Sequence, residues 1–204
     1  LGCGFALLIV LITGAKVSRA QNWPTFRGAN ASGVADGKPT PTTWDATKGT
    51  NILWKTPIPG LAHASPVVWG DKVFVTTAVS SKGAEYFRHG LYGDVDMDKD
   101  TSPHTWRVYA LNRLTGKIIW ERDVAELNAS SPTFAKGRLF IATLVPGKIL
   151  ALDPKTGKTI WKRSLPGRSE STPVVVGNKV IFGCENSQLF AVSARNGKTK
   201  WTAD

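Results

Sequence analysis

Several residue types and patterns are scarce in this chain, and each scarcity excludes a class of protein. Two cysteines among 204 residues exclude a disulfide-stapled scaffold and a cysteine-rich zinc or iron–sulfur protein. The chain has no helical periodicity of useful length, which excludes a helical bundle. The glycines fit neither a Walker loop nor a dinucleotide-binding pattern, and no Ser-His-Asp arrangement stands out. Acidic residues are also scarce, 15 against 26 basic ones, so the formal net charge is +11.

The residues that are abundant point to a globular protein rich in turns. Hydrophobic residues make up 42% of the chain and charged residues 20%, which is typical of a packed core rather than of disorder. The 20 glycines and 12 prolines indicate frequent turns, and eight tryptophans accompany a single methionine. The tryptophans prove to be the main guide to the fold.

The first 20 residues read as an export signal. Residues 5–12 form the apolar run FALLIVLI, which is too short to span a membrane. Ser18, Arg19 and Ala20 then have the small-x-small form of a signal-peptidase site. We expect residues 1–20 to be a cleaved signal peptide and the mature protein to be periplasmic or secreted, with no transmembrane span. A short buried strand or a signal anchor is the alternative. Residues 21–51 then form an N-terminal extension.

An internal repeat dominates the rest of the chain. Trp120, Trp161 and Trp201 are spaced by 41 and 40 residues, and each ends a similar phrase. The phrases are YALNRLTGKIIW at 109–120, LALDPKTGKTIW at 150–161 and FAVSARNGKTKW at 190–201. A second phrase precedes each of them: PVVWGDKVFV, PTFAKGRLFI and PVVVGNKVIF. Repeats of this period indicate an array of small structural units.

Each unit reads as four short strands, a to d, rich in Val, Ile, Phe and Trp. Gly, Asn and Asp pairs between strands a and b, and Thr-Gly-Lys or Asn-Gly-Lys between strands c and d, favour tight turns. Four strands per roughly 40 residues predict an all-β fold, a β-propeller of four-stranded antiparallel blades. We expect three blades, near residues 65–122, 131–164 and 172–202, within a partial propeller covering 52–204.

The repeated tryptophans have a structural role in this interpretation. A large ring on the outer strand docks against the next blade and buries on the order of 200 Å². We therefore expect Trp54, Trp120, Trp161 and Trp201 to be docking residues. Segment 52–57, which contains Trp54, is expected to be the outer strand of a blade that is otherwise missing.

The phrase Ala-Leu-Asp-x-x-Thr-Gly-Lys-x-x-Trp resembles the repeat of pyrroloquinoline quinone (PQQ) enzymes and their non-enzymatic propeller relatives. The segment WPTFRGAN at 23–30 is similar to the opening of secreted bacterial PQQ-like repeat proteins, as are HGLYGD at 89–94 and SPHTW at 102–106. The resemblance covers roughly residues 22–202 and implies a propeller. Propellers have at least about four blades, and PQQ-type members commonly have seven or eight, so we interpret the chain as the N-terminal part of a longer one.

The family includes quinoprotein dehydrogenases, which need a carboxylate base and a calcium site for the quinone. They often carry an adjacent cysteine pair, which Cys3 and Cys184 cannot supply. No region gathers a calcium-ligand set convincingly, so we assign no catalytic residue and predict no cofactor. PQQ and calcium enter only under the alternative that the chain is part of a dehydrogenase.

The one irregularity in the repeat is an insert at 80–105, between strands b and c of the first blade. Long loops in compact domains are usually functional or disordered, so the insert is the predicted recognition element. The tentative contact residues are Arg88, His89, Tyr92, Asp94, Asp96 and His104. Four aspartates at alternate positions share one side of an extended strand and fit either a solvated acidic loop or a weak calcium site. They are Asp94, Asp96, Asp98 and Asp100.

These features together predict a non-catalytic, scaffold-like module of the bacterial cell envelope that binds a protein or a small ligand. The N-terminal part of a PQQ-dependent dehydrogenase and an extracytoplasmic sensor or accessory domain are the alternatives. We expect no nucleic-acid partner, because export is expected and basic and aromatic residues do not interleave. Lysines and arginines gather in the turns between strands a and b and between strands c and d. They either aid solubility or attract anionic surfaces.

Overall fold

The computed structural model of the chain describes residues 22–35, 40–62, 64–83, 102–125, 127–145, 147–169, 171–185 and 187–204. Thirteen strands in this part of the chain form three antiparallel sheets. The first sheet contains β1 (Val67–Trp69), β2 (Lys72–Ser80), β3 (His104–Asn112) and β4 (Ile118–Ala125). The second contains β5 (Leu127–Ala129), β6 (Thr133–Ala135), β7 (Arg138–Val145), β8 (Lys148–Leu152) and β9 (Thr159–Ser164). The third contains β10 (Val174–Val176), β11 (Lys179–Gly183), β12 (Leu189–Ser193) and β13 (Thr199–Ala203).

Each sheet is a meander in which consecutive strands are neighbours. The second sheet differs only at its first edge, where β5 and β6 both pair with β7. A single 3-10 turn, Ala29–Ala31, is the only helical segment in the described ranges. The all-β fold with three four-stranded blades, predicted from the repeat, is confirmed.

The turns between the first two strands of each blade explain where the glycines fall. Two residues separate these strands in every blade, and such hairpins require positive φ angles. Gly70 and Gly177 have φ of 59° and 58°, and Gly137 has φ of 68°. In the second blade Lys136 also adopts a positive φ, 50°, beside Gly137.

The turns between the third and fourth strands are built by side-chain hydrogen bonds. The Oδ1 atom of Asn112 accepts hydrogen bonds from the backbone amides of Leu114 and Thr115, at 2.9 and 3.0 Å. Asp153 holds the equivalent turn of the second blade through two amides, at 2.7 and 3.1 Å. Such Asx turns pre-form the bend. The glycines that complete them, Gly116, Gly157 and Gly197, have φ of 70°, 70° and 71°.

The hydrophobic core lies between the sheets rather than within one of them. One cluster joins Phe74, Val108 and Ala110 of the first blade to the second blade. Its second-blade members are Phe134, Leu139, Ile141, Leu150 and Leu152. An equivalent cluster joins Phe140 and Ile149 to the third blade, where its members include Val180, Phe182, Phe190 and Val192. Sheets that are apolar on both faces and stacked in this way are blades of a β-propeller.

The tryptophans of the first two blades each dock on the glycine turn of the next blade. The indole Nε1 of Trp120 donates to the carbonyl of Pro154 at 3.0 Å, and that of Trp161 donates to the carbonyl of Ala194 at 3.1 Å. A Cβ added at Gly157 or Gly197 would lie only 2.7 Å from the ring of Trp120 or Trp161, respectively. The ring therefore packs directly on the glycine backbone, which leaves no room for a side chain.

The same contact is made before the first blade. Trp54 Nε1 donates to the carbonyl of Arg113 at 2.8 Å, and its ring lies on Gly116. Segment 52–57 has no strand pairing among the described residues, although its tryptophan occupies the docking position. At the other end, Trp201 pairs with Ala191 as Trp120 does with Ala110. It is 36% exposed, and no further turn lies against it within the described ranges.

A second backbone contact accompanies each docked ring. The residue two positions after the tryptophan donates to the carbonyl of the same glycine. Thr56 Oγ1 reaches Gly116 at 2.7 Å, and Arg122 Nη1 reaches Gly157 at 3.0 Å. Arg163 Nη1 approaches the carbonyl of Gly197 at 3.5 Å. Each turn is thus clamped from the preceding blade by two side chains.

We expect Gly157→Ala to destabilise the protein far more than Gly137→Ala. Both glycines have similar positive φ angles, 70° and 68°, so an added methyl group costs about 1–2 kcal/mol of backbone strain at either position. Only at Gly157 does the new Cβ also meet the ring of Trp120, because nothing lies within 4 Å of it at Gly137. Displacing the packed ring costs about 1–3 kcal/mol more. Urea unfolding followed by tryptophan fluorescence measures both variants, and equal losses of stability would contradict the docking role.

Candidate functional site

Most of the insert residues predicted as a recognition site lie outside the described residues. Of the binding candidates, His104 alone is described. The remainder are Arg88, His89, Tyr92, Asp94 and Asp96, and the possible calcium ligands Asp98 and Asp100 lie outside as well. The recognition role and the calcium site therefore stay predictions.

The base of the insert is well defined. Ser80 and His104 form the last residue pair between β2 and β3. Beyond that pair, the amide of Ser81 donates to the carbonyl of Pro103 at 2.9 Å, and the hydroxyl groups of Ser80 and Ser102 are 2.7 Å apart. The two ends of the insert are thus held side by side, at the sheet end opposite the glycine turns. The strand ends that flank the insert are therefore defined, and they lie where its place between the second and third strands predicts.

His104 stands at this base with its ring fixed by two contacts. Its Nδ1 lies 2.7 Å from the carbonyl oxygen of Ser102, and its ring centroid lies 5.8 Å from that of Trp106. Because a carbonyl only accepts, Nδ1 carries the proton in this contact, and in the neutral ring Nε2 carries the lone pair.

An ion-pair cluster lies on the same sheet, three residues further along β3. Arg107 donates through Nε to Asp123 Oδ1 at 2.6 Å, and its Nη1 lies 3.4 Å from Glu121 Oε1. The hydrogen bond that Arg107 donates to the Asp123 carboxylate raises the pKa of Arg107 further above its ordinary value. The guanidinium is a permanent cation whose charge is offset by two carboxylates, so the cluster is structural in character.

The inner edges of the blades converge, and the N-terminal segment lies along them. Trp23 pairs with Val68 of β1 through two backbone hydrogen bonds, at 2.8 and 2.9 Å. The carbonyl of the next residue, Pro24, accepts from the amide of Phe134 in β6 at 2.7 Å. Residues 22–24, which we term the axial strap, therefore connect the inner strands of the first two blades. The sequence predicts only an N-terminal extension for these residues.

The strap has its own glycine contact. The ring of Trp23 lies on Gly28, where an added Cβ would lie 2.6 Å from Cε3, and Gly28 has φ of 72°. Asn22 Oδ1 accepts from the amide of Gly70 at 2.8 Å and so anchors the strap to the first hairpin turn. The WPTFRG motif could have signalled this role, because it repeats the pairing of a tryptophan with a glycine.

A turn that the repeat in the sequence does not reveal precedes Trp54. Asp45 Oδ1 accepts from the amides of Thr47 and Lys48 at 2.8 and 2.9 Å, and Gly49 has φ of 77°. This is the Asx turn of the blades, in the same place before the docking tryptophan. One extra residue separates Asp45 from Trp54, compared with the spacing of Asn112 and Trp120, and this obscures the repeat.

A quinone and its calcium ion require a carboxylate base and calcium ligands, and the inner edges are one place where these could lie. The residues there are Asn22 to Thr25, Val67 to Trp69, Thr133 to Ala135 and Val174 to Val176, and none has an ionisable side chain. Across the described ranges, no three His, Cys, Asp or Glu side chains are grouped as metal ligands. The described residues therefore do not fit a calcium–quinone site.

Cys184 is the one cysteine in the described part of the chain, and it is not suited to nucleophilic chemistry. It packs against the core between the second and third blades, and burial raises the pKa of its thiol. A raised pKa means that the thiol form dominates at neutral pH, whereas the thiolate is the nucleophile.

The blades, their cores and the tryptophan docking define a β-propeller repeat protein. Residues 104–204 match a PQQ-repeat family model described as outer membrane protein assembly factor BamB. Residues 104–204 therefore belong to the PQQ-like β-propeller repeat family. No curated protein matches it.

Solved structures with this fold include quinoprotein enzymes and an assembly factor. Quinohemoprotein alcohol dehydrogenase from Comamonas testosteroni aligns with a TM-score of 0.58 at 19% identity, over 93% of this chain and 28% of that one. Quinohemoprotein alcohol dehydrogenase ADHIIG from Pseudomonas putida HK5 aligns with a TM-score of 0.51 at 20% identity, over 73% and 21%. BamB from Moraxella catarrhalis aligns with a TM-score of 0.41 at 20% identity, over 52% and 34%. This chain thus spans between 21% and 34% of each protein, and the likeness to the two dehydrogenases shows the fold.

The described residues contain no helix that is long and apolar enough to cross a membrane.

We expect Trp23→Ala to release the axial strap. The backbone amides of Val68 and Phe134 should then exchange with solvent roughly tenfold faster, because the packed indole contributes more than 1.4 kcal/mol to holding the strap. Hydrogen–deuterium exchange measures both amides. Trp44→Ala is the matched control, since that side chain is 71% exposed and lies outside the strap. The strap assignment is wrong if the control accelerates exchange equally or if neither variant does.

Proposed function

We propose that this protein is a non-catalytic binding scaffold of the bacterial cell envelope. The repeated blades form a rigid platform, and the insert at 80–105 presents side chains to a protein or a small ligand. The expected export signal and the family of residues 104–204 support a place in the envelope. The observation that carries the proposal is the absence of ionisable side chains along the described inner edges.

An enzyme of this fold needs an acid or a base close to its reacting atoms. The inner edges instead offer valine, alanine, aromatic, proline, threonine and asparagine side chains, and the axial strap already occupies the edge of β1. The polar atoms of the strap are used internally, for example the bond from Asn22 to Gly70. This arrangement suits a structural hub better than a reaction centre.

The repeated polar groups are likewise used in packing. The indole donors of Trp54, Trp120 and Trp161 bind turn carbonyls, and the Asx side chains bind turn amides. These contacts stabilise the platform and leave recognition to its loops. The longest departure from the repeat is the insert. The two strand ends that flank it are hydrogen-bonded to each other.

Titration with PQQ in the presence of calcium tests the non-catalytic assignment. We expect no saturable change in quinone absorbance at micromolar concentrations, because the described inner edges carry no carboxylate to bind calcium or to act as a base. No PQQ-dependent alcohol oxidation is expected either. Stoichiometric binding at micromolar PQQ would overturn the proposal and favour the dehydrogenase alternative.

Removal of the insert tests its recognition role. Replacing residues 81–103 with Asn-Gly joins β2 to β3 through a two-residue turn directly beyond the pair of Ser80 and His104. We expect the variant to keep the thermal unfolding of the parent, since the hairpin register is unchanged. Its affinity for the envelope partner should fall at least about tenfold, the loss expected when a recognition loop contributes more than 1.4 kcal/mol.

The partner for this measurement is the protein that the wild-type chain recovers by cross-linking from solubilised envelope, purified and titrated against both variants. The matched control replaces residues 185–187 with Asn-Gly at the equivalent turn of the third blade, directly beyond the hydrogen bond from the amide of Cys184 to the carbonyl of Gln188. Equal loss of affinity in the control, or unfolding of the insert variant alone, would show that the insert is structural.

A further inference from the structure

The glycine turns lie together at one end of the blades. The amide of Arg113 donates to the carbonyl of Asp71 at 2.8 Å, and the amide of Ala194 donates to that of Asn178 at 2.8 Å. In two blades, therefore, the two hairpin turns are hydrogen-bonded to each other. We term this end the turn face, comprising residues 45–50, 69–72, 112–117, 135–138, 153–158, 176–179 and 193–198.

The turn face is strongly basic. It carries eleven basic and three acidic side chains. Two of the acids, Asp45 and Asp153, are held by turn amides, and the third, Asp71, pairs with Lys72 at 2.7 Å. Several basic side chains are exposed and make neither an ion pair nor a side-chain hydrogen bond within the described part of the chain. They are Lys117, Lys136, Lys155, Lys158, Lys179, Arg195 and Lys198.

The opposite ends of the sheets differ. Among the residues described there, Arg168 lies 3.9 Å from Glu185, so a cation at that end has an acidic neighbour. The turn face, by contrast, carries eight more basic than acidic side chains, which gives it a positive field. Such a field attracts anionic surfaces from solution.

Exposed apolar side chains stand among these cations. Leu114 is 62% exposed at the tip of its turn, and Val176 is 56% exposed beside Gly177. Trp44, at the edge of the first turn, is 71% exposed, and Trp69 is 39% exposed. A turn that served only solubility would carry polar residues at these tips. Basic residues interspersed with exposed leucine and tryptophan are typical of proteins that lie on a membrane surface.

We propose that the turn face binds the surface of a bilayer containing anionic lipids, which goes beyond the scaffold role proposed above. The lysines and arginines contact lipid phosphates, where each basic residue near an anionic surface contributes about 1 kcal/mol. Leu114 and Trp44 enter the boundary between headgroups and acyl chains, where indole rings are favoured. A nucleic acid would satisfy the cations but offers no apolar layer for Leu114 and Val176. The bilayer therefore accounts for both properties of the face.

Binding to phosphatidylcholine vesicles, with and without about one third phosphatidylglycerol, tests the proposal by co-sedimentation of the full chain. We expect binding only to the anionic vesicles, a blue shift in tryptophan fluorescence, and a strong decrease as salt rises from about 0.1 to about 0.5 M. The variant Lys117→Glu with Lys158→Glu should bind at least tenfold more weakly. The control, Lys148→Glu with Arg168→Glu, changes the net charge equally at the opposite end and should bind like the wild type.

A second pair of variants separates a bilayer from a general polyanion. Leu114→Ser should weaken vesicle binding severalfold, whereas Leu189→Ser, at an exposed position outside the turn face, should not. Equal loss in both charge variants would reduce the effect to net charge and overturn the proposal. Duplex DNA binding that is as tight as vesicle binding and insensitive to Leu114→Ser would also overturn it, because the face would then recognise polyanions in general.

Discussion

The docking of an indole on a glycine turn is the contact on which the rest of this structure depends. Each sheet alone is a meander of four or five strands that is apolar on both faces, so it must be covered by its neighbours. The tryptophan sets how neighbours meet, because its ring fits only where the opposing residue lacks a Cβ and its Nε1 must find a turn carbonyl. The contact recurs at Trp54, Trp120 and Trp161 with donor–acceptor distances of 2.8, 3.0 and 3.1 Å. The docked tryptophans on the outer strands thus set the spacing between blades, and the apolar clusters fill the space between the sheets.

The docking rule also accounts for what could be predicted from the sequence. The tryptophans at intervals of 41 and 40 residues, together with the glycine turns, are sufficient to predict the blades and the end of each blade at which the turns lie. The turn between Asp45 and Trp54 was not predicted, because one additional residue, Asn51 with φ of 55°, lengthens the spacing from the turn to the tryptophan while the turn itself is kept. The axial strap was not predicted from the sequence for a different reason. Its bonds to Val68 and Phe134 join backbone groups far apart in the chain, and no periodicity records such bonds.

The candidate site was less predictable than the fold. A loop inserted between two paired strands must leave from the end opposite the glycine turns, and the paired ends at Ser80 and His104 agree with that topology. Which of its aromatic and acidic side chains meet a ligand depends on a loop conformation that no repeat constrains. Polar residues in the blades were, in contrast, easy to misjudge as functional. Asn112, Asp153 and Arg122 have polar sequence neighbours typical of a protein surface, yet the side chain of each is hydrogen-bonded to the backbone of a turn.

The basic face follows from the same geometry as the packing. In each Thr-Gly-Lys turn the glycine lies beneath the ring of the preceding blade, and the backbone of the lysine bonds within the turn, through its amide to Thr115 or Thr156 and its carbonyl to Asn112 or Asp153. Because the backbone of the lysine is held inside the turn, its side chain extends into solvent. Lys117, Lys158 and Lys198 are all exposed. A residue at this position can therefore change its charge without disturbing the docked tryptophan. The repeat thus sets one outward position per blade at fixed spacing, and an array of like charges on one face results from a motif whose first role is packing.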